Sequence, residues 1–124
     1  MKRFFISLKN ALRGILYVFV SQKNFKIHTV FAIAAVILAA ILKFTYMEWA
    51  VLVLIIGVVM SCEALNTAIE RTVDLVSPDY DERAKQAKDS AAAAVLIAAV
   101  SSVIIGILLF VIKIINFIKG NLLQ

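Results

Sequence analysis

The chain has 124 residues, 63% of them hydrophobic, and a mean hydropathy of +0.98. A soluble domain of this size needs far more polar surface, so the composition marks an integral membrane protein and excludes the soluble enzyme classes. The net charge of +5 suits an anionic lipid surface, and no nucleic-acid partner is expected.

Residues 1–26 begin with apolar side chains at helical spacing: Phe4, Phe5, Leu8, Leu12, Ile15, Leu16 and Phe19. Lys2, Arg3, Lys9, Asn10 and Arg13 fall largely elsewhere. This pattern predicts an amphipathic helix lying on the cytoplasmic leaflet, its apolar face sunk in the acyl boundary. A soluble helix packed on other chains is the alternative. Three apolar stretches follow, 27–42, 49–76 and 91–115, against a requirement of about 20 residues to cross a hydrocarbon core. The short turn between the first two carries Tyr46, with Trp49 just after it, both suited to the interface, and it forces those spans to be antiparallel neighbours. The second stretch is overlong, so its last turns emerge at the interface.

The connection 77–90 holds the one proline, Pro78, which ends the long helix. Asp79, Tyr80, Asp81 and Glu82 come next, and Arg83 to Lys88 read as a short helical lead into the third span. Along that span Ser90, Ala94, Ala98, Ser102 and Gly106 recur every four positions, a small-residue ridge that allows close helix approach. The expectation is therefore an all-α membrane protein, a single domain over 1–124, with a surface helix and three transmembrane helices. A three-helix bundle has little interior, so a homo-oligomer is expected to shelter its polar face. Lone Cys62 excludes an internal disulfide and suits packing, and no cleavable signal pattern is visible. Of the 13 Lys and Arg residues, ten lie in the N-terminal segment and around 71–88. Only Lys43, Lys113 and Lys119 lie on the other side, which predicts a cytoplasmic N-terminus and an external C-terminus.

The second span carries four polar residues, Glu63, Asn66, Glu70 and Asp74, spaced to share one helix face. An unpaired carboxylate at membrane depth costs several kcal/mol, roughly 3 by insertion scales, so the stripe reads as a working site. The four scattered glycines make no phosphate loop. Cys62 and His28 are single, so no Cys/His metal set exists, and no serine elbow occurs. His28 reads as an interfacial hydrogen-bonding residue. Glu63 suits general-base work on a hydroxyl arriving from the bilayer. Glu70, about two turns nearer the aqueous edge, suits a hard cation, and Lys88, followed by Asp89, suits phosphate oxygens. Together they suggest phosphoryl transfer from a soluble donor to a lipid alcohol. Interhelical glue in a non-catalytic interaction protein, or a small proton-coupled transporter, remain alternatives.

The run Glu63-Ala-Leu-Asn66-Thr-Ala-Ile-Glu70-Arg-Thr-Val-Asp74, joined to Ala87-Lys88-Asp89, resembles the prokaryotic diacylglycerol kinase family. Asn24-Phe25-Lys26-Ile27-His28 is similar to its undecaprenol kinase branch. The resemblance covers essentially the whole chain. It implies a homotrimer in the cell membrane with active sites between subunits at the cytoplasmic face, and transfer of the ATP γ-phosphate to undecaprenol or diacylglycerol with Mg2+. It further implies Glu63 as general base, Glu70 as a metal-binding carboxylate, and Asn66 and Asp74 as supporting polar residues. Nucleotide contacts are implied for Arg3, Asp79, Tyr80, Asp81, Lys88 and Asp89, with Asn10 affecting nucleotide detail. One departure stands out: Gln22 occupies a position where the family usually has a second metal-binding glutamate. It keeps a carbonyl acceptor but lacks the negative charge.

Overall fold

The computed structural model describes residues 1–122, with side chains through Lys119. Among the described residues four α-helices follow one another: α1 (Lys2–Ser21), α2 (Lys23–Ile41), α3 (Tyr46–Val76) and α4 (Glu82–Leu122). All four are long and apolar enough to cross a membrane. At 1.5 Å per residue, α3 is about 46 Å long and α4 about 60 Å, both longer than a hydrocarbon core of about 30 Å.

A single extended residue, Gln22 (φ −108, ψ 122), separates α1 from α2. Neither glycine nor proline marks this break. Packing holds it instead: Val18 and Phe25 are buried on either side, and Phe19 meets Phe25 edge-on with ring centroids 6.4 Å apart. The rest of α1 is exposed.

The α2–α3 turn is built from two interlocking caps. Lys43 takes a left-handed conformation (φ 52). Its N–H donates to the Ala40 carbonyl at 3.2 Å, and the Phe44 N–H donates to that of Ala39 at 3.1 Å. This is the Schellman arrangement, which satisfies the orphan carbonyls of α2 with a lysine where glycine is usual. Thr45 then opens α3 with a capping box. Its backbone N–H donates to Glu48 Oε2 at 2.7 Å, and the Glu48 N–H donates to Thr45 Oγ1 at 3.4 Å. Lys113 of α4 reaches the same carboxylate oxygen at 3.0 Å while lying 5.9 Å from the Phe44 ring centroid. Buried Ala39, Leu42, Phe44 and Leu52 form the core of this end, with Trp49 and Phe110 against them.

At the opposite end the non-helical connection is 77–81, shorter than the 77–90 read from the sequence, because the Arg83–Lys88 lead and the third span form one continuous helix. Asp81 starts it: its Oδ1 accepts from the N–H groups of Arg83 (2.7 Å) and Ala84 (3.0 Å), an N-cap that lets good helix formers propagate at once.

α3 is the axis of the bundle, packed chiefly on α4 and next on α2, while α1 touches α2 and α3. The inward side chains alternate steps of three and four. They are Phe25, His28, Ala32, Ala35 and Ala39 on α2 with Leu42 at its C-cap, and Trp49, Leu52, Ile56, Val59, Glu63, Asn66, Glu70 and Val73 on α3. Ala84, Lys88, Ala91, Val95, Ala98, Ser102, Ile105 and Leu109 continue the pattern on α4. Such 3.5-residue seams are the signature of left-handed coiled packing. They correct the four-residue ridge expected on α4. Ala98, Ser102 and Gly106 do face inward, but Ser90 and Ala94 are exposed, because steps of four drift about 40° each around a 3.6-residue helix.

Candidate functional site

The α3 seam carries apolar residues for its first half and polar ones for its second. Glu63 is 3% exposed and Thr67, one turn on, 2%. The Thr67 hydroxyl donates to the Glu63 backbone carbonyl at 2.9 Å, so it leaves the carboxylate free. His28 on α2 brings Nε2 to 3.3 Å from Glu63 Oε1. The approach is within ion-pair reach but not aligned as a hydrogen bond, and this buried oxygen has no hydrogen-bond donor.

One turn further Asn66 donates through Nδ2 to Glu70 Oε1 at 3.0 Å. This i,i+4 bond fixes the carboxylate against its own helix. Asn66 Oδ1 is buried and unpartnered. Among the described residues two buried oxygens therefore lack donors on adjacent turns, an arrangement that costs stability unless something occupies the site.

Asp74 is displaced from the seam by one residue and reaches across to α4, where it pairs with Lys88. Both are substantially exposed, so the pair adds little stability, but it links the α3 stripe to the lysine on the facing helix. The loop residues are less uniform. Asp81 is engaged as the α4 cap. The Tyr80 hydroxyl donates to Glu82 Oε2 at 2.6 Å, which holds the phenol protonated above its ordinary range, with nearby Asp89 adding to the effect. Asp79 contributes its backbone carbonyl to the Ser77 hydroxyl, and Asp89 is exposed on α4. Arg3 and Asn10 are exposed on α1 and Gln22 is partly buried at the break. Among the described residues no side-chain hydrogen bond or ion pair joins these three to α3.

An apolar cavity of about 340 Å³ runs between α2, α3 and α4. His28 and Met60 line the end nearest Glu63, and Leu109 and Phe110 line the other. Its polar lining is limited to His28 and Ser102, so it suits a hydrocarbon chain whose polar terminus lies at the histidine. The sequence predicts an interfacial hydrogen-bonding role for His28, and the fold adds its juxtaposition with Glu63. The signal available was its position on the Phe25–Ala32–Ala35 register, which turns it inward.

No group of three or more His, Cys, Asp or Glu side chains among the described residues makes a metal cage. The donors present are the Glu70 carboxylate and the free Asn66 Oδ1. Such a set fits magnesium, which is usually held by one or two carboxylates together with substrate phosphates rather than by an all-protein cage.

Comparison with known proteins gives a consistent picture. Residues 9–110 match the profile of the family described as prokaryotic diacylglycerol kinase. An undecaprenol kinase of Bacillus subtilis is 43% identical over 113 residues, covering 91% of this chain and 92% of that protein. A diacylglycerol kinase of Synechocystis is 46% identical over 82% of this chain, which spans 58% of that longer protein. The Escherichia coli K12 diacylglycerol kinase is 34% identical over 74% of this chain and 75% of its own length.

Proposed function

Since the chain belongs to the prokaryotic diacylglycerol kinase family, it is a membrane lipid kinase, and we propose that it transfers the γ-phosphate of ATP to the hydroxyl of undecaprenol, with diacylglycerol as a secondary acceptor. The observation that carries this reading is the run of polar side chains along one α3 seam. It extends from buried Glu63 beside the apolar cavity to the exposed Asp74–Lys88 pair. A greasy alcohol and a charged nucleotide can meet along that line.

Glu63 accepts the proton of the lipid hydroxyl as its oxygen attacks. The new bond joins that oxygen to the γ-phosphorus, the β–γ bridging P–O bond breaks, and its electron pair leaves with ADP. Lys88 offsets charge on the phosphates as a point donor, with Asp74 holding it in reserve. Glu70 and Asn66 would hold magnesium, which when bound neutralises phosphate charge. Gln22 offers a neutral carbonyl, so Glu70 carries the protein's main anionic contribution. Asp79, Tyr80, Asp89, Arg3 and Asn10 complete a nucleotide contact surface, in which Arg3 and Asn10 act from α1.

A homotrimer in the cell membrane accounts for two features of the single chain. Among the described residues most large apolar side chains are exposed and α1 makes no side-chain polar contact with the α3 stripe, so its nucleotide residues would serve a neighbouring copy. The surface position of α1 is supported by the break at Gln22. One extended residue is too short for an antiparallel hairpin of two spanning helices, which takes about two to five residues. The balance of Lys and Arg supports a cytoplasmic Asp74–Lys88 end and N-terminus, with α4 ending outside.

The test is phosphorylation by the purified protein, with ATP and magnesium, of undecaprenol and diacylglycerol presented separately. Faster phosphate transfer to undecaprenol is expected. Proton flux into vesicles without ATP, and no lipid phosphate, would refute the assignment.

A further inference from the structure

We propose that His28 is a positioning residue for the transfer step: it donates through Nε2–H to the Glu63 carboxylate and holds it near the end of the apolar cavity that His28 lines, where the lipid hydroxyl arrives. The inference rests on the reading of Glu63 as the base. Its ground is a juxtaposition of three observations. His28 Nε2 lies 3.3 Å from Glu63 Oε1. That oxygen is buried and has no hydrogen-bond donor. The same imidazole lines the end of the cavity nearest Glu63.

Other neighbours leave the carboxylate untended. Thr67 is spent on the backbone carbonyl, Asn66 on Glu70, and Lys88 on Asp74. Among the described residues His28 is therefore the side chain left to fix the carboxylate orientation. The 3.3 Å approach is expected to tighten into an aligned bond when substrate binds, as hydrogen bonds in ligand-free sites commonly do. Donation from Nε2 leaves Nδ1 as an acceptor if the ring is neutral. Throughout the transfer His28 keeps its proton: the hydroxyl proton passes to Glu63, and the histidine restrains the acceptor without taking part in bond exchange. The remaining polar group of the cavity wall, Ser102, is bonded to its own helix at the Ala99 carbonyl.

The experiment uses the full chain in lipid nanodiscs containing undecaprenol, comparing His28→Ala, His28→Gln, Glu63→Gln and the His28→Ala/Glu63→Gln pair. Loss of a group that orients a catalytic side chain should lower kcat by about 10- to 100-fold, with the KM for ATP unchanged. His28→Gln, which keeps a donor at similar reach, should recover kcat to within about fivefold of wild type by the same reasoning. The double variant should be no slower than Glu63→Gln alone, because the histidine acts through the glutamate. A His28→Ala rate within about twofold of wild type, a glutamine variant as slow as alanine, or a further loss in the double variant would each overturn the proposal. Full turnover in Glu63→Gln would instead remove the base reading on which it depends, a result distinct from those three. Should His28→Ala fail to assemble, His28→Phe replaces it with the same expected loss.

Discussion

Replacing Asn66 by alanine removes the bond from Nδ2 to Glu70 Oε1 and, with it, the free Oδ1 on the same side chain. A hydrogen bond to a charged acceptor contributes about 1.5–3 kcal/mol. If that energy serves to hold Glu70 in its ligating position, its loss appears as a drop in kcat/KM for magnesium-ATP of about 10- to 150-fold, at 1.4 kcal/mol per decade. The missing Oδ1 also removes one of the oxygen donors proposed for magnesium, so the magnesium concentration for half-maximal rate should rise. Steady-state transfer of labelled phosphate at a series of magnesium concentrations measures both. Asn66→Asp tells the two roles apart: it restores an oxygen but sets a second carboxylate beside Glu70, so its deficit should shrink with added magnesium more than that of Asn66→Ala. Unchanged magnesium dependence and near-normal turnover in Asn66→Ala would refute the reasoning and return the residue to helix packing.

Glu63→Gln should lower lipid phosphorylation by at least about 100-fold, the lower range for a general base, while leaving oligomeric assembly as in the wild type by size-exclusion chromatography. Lys43→Gly should stabilise the protein by about 1 kcal/mol in detergent unfolding, because glycine takes the left-handed position without the cost a side chain carries there. Absorbance titration should find Tyr80 ionising later than an ordinary tyrosine, and Glu82→Gln should return it towards that range. The sign follows from the hydrogen bond: it favours the neutral phenol, so its contribution is present below the unfolded tyrosine value of about 10 and is lost as pH rises through the raised folded value.

The polar stripe was legible in the sequence because Glu63, Asn66 and Glu70 keep to steps of three and four, which stay on one seam whatever the helix packs against. Asp74 breaks that rhythm by one position, and its cross-helix pairing with Lys88 depends on a turn whose length the sequence did not make plain. Pro78 drew attention to the whole of 77–90, whereas the decisive signal was Asp81 as an N-cap only three residues later. The α1–α2 break had no local marker at all, since packing of Val18 and Phe25 creates it. His28 was visible, but its partner lies on another helix, and distance in sequence conceals distance in space. A four-residue step looks regular in print but winds around the cylinder, so Ser90 and Ala94 leave the inner face of α4 within the single chain.

The tight connection between α3 and α4 has a consequence for how the enzyme excludes solvent. With only residues 77–81 between two long rods, this connection supplies no lobe to swing shut over the reactants. Dehydration would then come from outside the polypeptide, by acyl chains along one flank and, in the proposed oligomer, an adjacent copy along the other. Catalytic rate should accordingly follow bilayer thickness, which governs how deeply the reacting atoms sit below the water line.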